Sequence, residues 1–138
     1  MLSVTAVAPV YNVEKFIEKS ITSVVGQTYK VKEIFILDDG SRDTSVEKIR
    51  AIAKKSRIPI KIFRMKHVGM RGKLINSILP KVKSDIIWIV ETDAYYDKDY
   101  LKNSVRHFRD PKVAGTIGRI HCWEIKTFLD RCREVELA

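Results

Sequence analysis

Two carboxylates one residue apart, Glu91 and Asp93, close the apolar run Ile86-Ile87-Trp88-Ile89-Val90. Read as a strand from about Asp85 to Glu91, positions i and i+2 project to one face, so both acids point the same way at its carboxyl end. A strand apolar on both faces belongs inside an α/β sheet, and such sheets bind ligands beyond the carboxyl ends of their strands. Two acids gathered there repel each other. The common physical remedy is a divalent cation, usually one that also carries a phosphate.

Three other segments offer complementary chemistry. Tyr11, in Pro9-Val10-Tyr11-Asn12, has a flat face on which a nucleobase can stack. Asp38 or Asp39, in Asp38-Asp39-Gly40-Ser41, can accept a hydrogen bond from a base N–H. Lys66-His67-Val68-Gly69-Met70-Arg71-Gly72-Lys73 brings Arg71 and Lys73, which together with a metal on Asp93 suit a diphosphate. Its glycines permit close backbone approach. Taken singly, Tyr11 reads as a packed loop aromatic, Asp38 to Ser41 as a turn with a helix cap, and Arg71 and Lys73 as solvated cations. Gly69 and Gly72 lack the spacing of a Walker phosphate loop. Joint placement at strand ends is what raises these residues to a candidate site.

That placement rests on the surrounding elements. Leu2–Pro9, Glu33–Leu37, Ile58–Phe63 and Asp85–Glu91 read as strands, and Lys112–Ile120 as a fifth. Between them lie helical stripes: Phe16, Ile17, Ile21, Val24 and Val25 after an Asn12 cap and before Gly26; then Val46, Ile49, Ile52 and Ala53; then Leu74, Ile75, Ile78 and Leu79. Asp97 can cap a fourth helix with Leu101, Val105 and Phe108, and a last helix follows from about Trp123. Strict β–α alternation predicts an α/β fold with a doubly wound, mostly parallel sheet and helices on both faces. Right-handed crossovers make 3-2-1-4 the simplest strand order. The carboxyl ends of strands one, two and four then meet at the switch point, with the loop after strand three beside them.

The bulk properties narrow the class. At 138 residues the chain matches one domain, with no repeats, linkers or low-complexity tracts. Hydrophobic residues make up 45%, which argues against disorder, and no run reaches the ~20 residues that cross a bilayer. The start, Met1 to Thr5, lacks a basic n-region and reads as a strand rather than a signal peptide. Net charge is +9, suited to nucleic acid, an anionic surface or a phosphorylated small substrate. The cations are spread without a basic tail or interleaved aromatics, so nucleic acid is not the expected partner. Cys122 and Cys132 match no zinc or redox spacing and read as reduced thiols, while His67, His107 and His121 are scattered. The expected location is the cytoplasm.

Val7 to Asn12, Gln27-Thr28-Tyr29 and Glu33 to Asp43 resemble the opening of the family-2 inverting glycosyltransferases with the GT-A fold. Later segments are similar to its processive, membrane-associated branch (cellulose, chitin and hyaluronan synthases): Gly72-Lys73 with Asn76, Thr92-Asp93, Asp97 to Leu101 and Asp110 to Gly115. The resemblance implies that Pro9 and Tyr11 line a nucleoside pocket and that Asp39 hydrogen-bonds the base, uracil being favoured. It implies Arg71 or Lys73 near base or phosphate, and Asp93 holding Mg²⁺ or Mn²⁺ against the diphosphate of a UDP-linked sugar. The metal would offset charge on the departing nucleoside diphosphate.

Two departures follow. Glu91 stands where the family's acidic motif usually begins with Asp, so its contact with ribose or metal is altered. The family's general base and acceptor site follow the segment seen here, and no catalytic base is identified; Glu134 and Glu136 read as solvated. The expectation is thus a single nucleotide-sugar-binding domain over 1–138, lacking the acceptor region of a parent that could associate with the cytoplasmic face of a membrane. The alternative is a non-catalytic nucleotide-binding or scaffold module of the same descent. The acceptor and the sugar are not legible.

Overall fold

The computed structural model describes residues 1–118, and the chain separates into two compact units, Met1–Lys102 and Asn103–Ala138. The first contains β1 (Val4–Val10), α1 (Ile17–Val25), β2 (Glu33–Asp38), α2 (Ser45–Lys55), β3 (Ile60–Arg64), α3 (Arg71–Ile78) and β4 (Ile86–Ile89). A short helix α4 (Tyr100–Val105) crosses the boundary between the units, and a 3₁₀ turn (Arg106–Arg109) follows in the second. The four strands form one sheet in the order β3-β2-β1-β4, all parallel. This is the doubly wound architecture that the alternation requires, with the direction of winding reversing between β1 and β4.

The apolar runs explain the sheet. β1 and β2 are central, and nearly every residue in them is buried on either face. On one face Val7, Phe35 and Leu37 pack against Leu74 and Ile78 of α3, with Phe63 edge-on to Phe35 at 5.2 Å between ring centroids. The alternate residues Ala6, Ala8, Ile34 and Ile36 are buried as well, which a sheet covered on both faces demands. The stripes Ile17, Ile21, Val24 and Val46, Ile49 are buried along α1 and α2. Each such side chain contributes roughly 1.5–3 kcal/mol relative to exposure.

Several expectations need correcting. β4 stops at Ile89, so Glu91 and Asp93 lie in a turn beyond it and strand alternation does not orient them. Asn12 does not cap α1: it sits at φ +50°, and its side-chain oxygen accepts from Arg42 N–H. The helix instead begins after a turn in which Val13 C=O accepts from Phe16 and Ile17. No strand forms over residues 112–118; there Asp110 Oδ1 accepts from Lys112 N–H and Asp110 C=O from Val113 N–H, which bends the chain. The end of that expected strand, the last helix, both cysteines, Glu134 and Glu136 lie outside the described residues.

Candidate active site

The four loops at the carboxyl ends of the strands are joined by side chains. The first two, after β1 and β2, are zipped together. Asn12 N–H donates to Ser41 Oγ (3.1 Å), Val13 N–H to Ser45 Oγ (2.9 Å) and Glu14 N–H to Asp43 Oδ2 (3.0 Å). Thr44 returns the favour through its N–H and hydroxyl, both donating to Glu14 Oε2. Backbone donors that would otherwise be orphaned at a helix start are thereby satisfied.

The two adjacent aspartates do different work. Asp38 is fully buried; its Oδ1 accepts from Ser41 N–H at 3.0 Å and its Oδ2 from Arg64 Nε at 2.9 Å. Both oxygens are thus engaged in shaping the Asp38–Ser41 turn. Asp39, one residue on, faces the loop after β3. Its carboxylate accepts from Val68 N–H (2.7 Å) and Gly69 N–H (2.9 Å), and lies 2.9 Å from His67 Nδ1. Burial alone would push this carboxyl up, but the two backbone N–H groups and the His67 contact together hold it below the usual range. Gly40 makes the approach possible. It sits at φ +76°, and a Cβ there would come within 3.2 Å of His67 N.

Tyr11 stacks on His67, with ring centroids 4.2 Å apart and planes 20° from parallel. Both side chains are nearly half exposed. The Tyr11–His67–Asp39 contacts therefore tie the loops after β1, β2 and β3 into one rim. Gly69, at φ +67°, supports the same turn, whereas Gly72 has open space around it and no positive φ.

The rim continues through Arg71, the first residue of α3. Its two terminal nitrogens grip Glu91 at 2.7 and 2.6 Å in a bidentate pair. The hydrogen bonds to Glu91 raise the Arg71 pKa further above its ordinary value, so this guanidinium is a permanent cation. The charge that meets Glu91 is therefore an arginine, which offsets the repulsion expected between Glu91 and Asp93. The turn carrying both acids is pinned from below: Thr92 Oγ1 donates to Pro9 C=O (3.1 Å), Ser20 Oγ to Glu91 C=O (3.2 Å), and Glu91 N–H to Tyr96 Oη (2.7 Å). Burial pushes the Tyr96 hydroxyl up to about 12, so it stays protonated. Tyr96 also packs edge-on to Trp88 at 4.8 Å.

Of the residues singled out in the sequence, Pro9, Tyr11, Asp39, Arg71 and Glu91 join this continuous rim, with Asp93 exposed in the turn beside Glu91. Asp38 turns away into the core, and Lys73 is exposed in the first turn of α3. The sequence reading passed over His67, Thr92 and Tyr96. The first is one of three scattered histidines, the second enters only beside Asp93 in the family resemblance with no role of its own, and the third is given no role; none sits in a periodic pattern. Among the described residues no group of three His, Cys, Asp or Glu side chains could hold a metal by itself. Asp93 nevertheless fits a site shared with a ligand, because a hard cation is commonly held by one or two carboxylates with substrate phosphates completing its shell.

Comparison with known proteins fits this geometry. The family model for glycosyl transferase family 2 matches residues 5–134, and the chain belongs to that family. The chain is 29% identical over 118 residues to glycosyltransferase GlyA of Streptococcus pneumoniae, covering 86% of itself and 17% of that protein. It is 25% identical over 136 residues to poly-beta-1,6-N-acetyl-D-glucosamine synthase of Staphylococcus aureus, covering 98% of itself and 32% of that enzyme. Among solved structures, S. aureus TarS in complex with UDP superposes with a TM-score of 0.69 at 25% identity, over 80% of this chain and 32% of that one. The mannosyltransferase PcManGT from Pyrobaculum calidifontis, solved with GDP-Man and Mn²⁺, has a TM-score of 0.74 at 23% identity, over 90% of this chain and 36% of its own. The fold is GT-A, and this chain spans less than half the length of each relative. No described helix is long and apolar enough to cross a membrane.

Proposed function

We propose that this chain is the donor-binding region of a glycosyltransferase that moves a sugar from a nucleotide-diphosphate donor, UDP-linked by preference. The observation that carries the reading is the closed rim of contacts uniting four strand-end loops, with an exposed aromatic face, an anionic hydrogen-bond acceptor and a fixed guanidinium along it. Tyr11 gives the base a stacking face, with Pro9 in the strand end behind it. Asp39 accepts a ring N–H of the base, its loop-bound carboxylate staying ionised near neutral pH. Arg71, held at the rim by Glu91, exchanges part of that pair for the donor diphosphate, and Lys73 adds long-range attraction.

Asp93 is assigned to Mg²⁺ or Mn²⁺. When bound, the ion supplies charge neutralisation to the leaving nucleoside diphosphate. Thr92 and Tyr96 tie down the turn in which Asp93 lies exposed. No described residue is proposed as the general base, and the acceptor is left unassigned. The relatives that are complexes with UDP and UDP-GlcNAc support the donor class.

Calorimetric titration with UDP and Mn²⁺, with and without EDTA, tests the reading. Saturable, EDTA-sensitive binding is expected. A folded chain that takes neither UDP nor GDP at millimolar concentration overturns it.

A further inference from the structure

His67 makes the two contacts that a uracil ring would make. It is a flat heterocycle stacked on Tyr11 at 4.2 Å and 20°. Its Nδ1 also lies 2.9 Å from Asp39 Oδ2 and 3.1 Å from Asp39 C=O. A ring nitrogen facing two oxygen acceptors must carry the proton, so Nδ1–H is the donor. A nucleobase imide places the same donor on the same kind of planar ring. The Asp39 carboxylate does not depend on His67 for its position, because Val68 and Gly69 N–H hold it independently. The imidazole is about half exposed, on a side chain with two rotatable bonds, and so is free to swing away while its backbone stays.

We propose that His67 is an intramolecular occupant of the nucleobase position, and that donor binding exchanges its ring for the base on Tyr11 and Asp39. This rests on the donor-site reading above. Two consequences follow. The observed affinity is the intrinsic affinity reduced by the fraction of molecules with His67 displaced. The position also selects bases with a ring N–H donor, as in uracil and guanine, over cytosine, whose corresponding ring nitrogen is an acceptor facing a carboxylate.

Two measurements on the full chain test this. In the first, Kd for UDP and CDP is measured with Mn²⁺ for the wild type and for His67→Ala. The variant's fold is checked by circular dichroism. His67→Ala is expected to bind UDP at least about threefold more tightly, the gain expected when a competing closed state is removed, with CDP remaining weak in both proteins. In the second, the ring C–H proton resonances of His67 are followed in the wild type, which needs no variant. Stacked on Tyr11 they are displaced upfield, and UDP should move them to the positions of a free imidazole. If UDP binds while His67→Ala binds it equally or less well, or while the His67 resonances stay upfield, the imidazole is a wall of the pocket and the exchange is refuted, with the donor site intact. If neither protein binds UDP, both the exchange and the donor site fail.

Discussion

Gln27 is a fully buried side chain whose removal should loosen the start of α4. Its amide nitrogen donates to Asp97 C=O at 2.6 Å and Ser23 C=O at 3.1 Å, while its oxygen accepts from Leu101 N–H at 2.8 Å. One side chain thus links the end of α1 to the start of α4. Gln27→Leu keeps the volume and deletes all three bonds. Leu101 N–H is left buried without that partner, at about 1–3 kcal/mol, and the two carbonyls lose roughly 0.5–1.5 kcal/mol each. Asp97 C=O retains Tyr100 N–H at 3.0 Å, which puts its share at the lower end. Burying leucine in place of an amide returns roughly 1–2 kcal/mol. The net expectation is about 2–3 kcal/mol of destabilisation, or a melting temperature lower by roughly 5–10 °C for a chain of this size. Thermal unfolding followed by circular dichroism measures it. A change under about 2 °C would show that water or a relaxed backbone replaces the glutamine, and that the α4 start is not held this way.

The glycines sort themselves. Gly40→Ala should cost more than about 2 kcal/mol, since strain at φ +76° adds to a 3.2 Å approach to His67 N, and Gly69→Ala about 1–2 kcal/mol, whereas Gly72→Ala is neutral or stabilising; urea midpoints rank them. Asp39 is held below its ordinary pKa in the folded state, so its contribution is present above about pH 4, the unfolded carboxyl value, and is lost as pH falls further. In Asp39→Asn this part of the acid dependence should vanish, which stability curves between pH 2 and 7 would reveal as a flatter profile. Thr5 Oγ1 is buried without a hydrogen-bond partner among the described residues, so Thr5→Val should raise stability by about 1 kcal/mol. A lower melting temperature for that variant would mean the hydroxyl is satisfied in solution.

The sheet order was legible because it rests on features a sequence displays: continuous apolar runs such as Ile34–Leu37, helical stripes such as Ile17, Ile21 and Val24, and the handedness of crossovers. Of the candidate site, the strand-end loops were legible, and so was the gathering of Pro9, Tyr11, Asp39, Arg71 and Glu91 along them. What escaped depends on contacts between residues far apart in the chain. Strand alternation predicted a shared face for Glu91 and Asp93, but the ladder to β1 ends at Ile89 and Thr92 instead ties the turn to Pro9. The pairing of Arg71 with Glu91 is invisible at a separation of twenty residues. His67 carries no pattern at all; its ring meets Tyr11 in a loop docked on Asp39 by the Val68 and Gly69 N–H groups, with Gly40 and Gly69 at positive φ. Asp38 and Asp39 look equivalent as neighbours, yet opposite projection sends one to Arg64 and the other to the rim.

A bound ion shared by a nucleotide and the turn beyond β4 can be located directly by paramagnetic broadening. Amide spectra of the isotopically labelled chain with UDP and Mn²⁺, compared with UDP and Mg²⁺, should lose signals first at residues 91–95, then at 66–71 and around Tyr11. Broadening centred on any other acidic stretch, or none at saturating nucleotide, would contradict the assignment of the strand-end rim as the donor site.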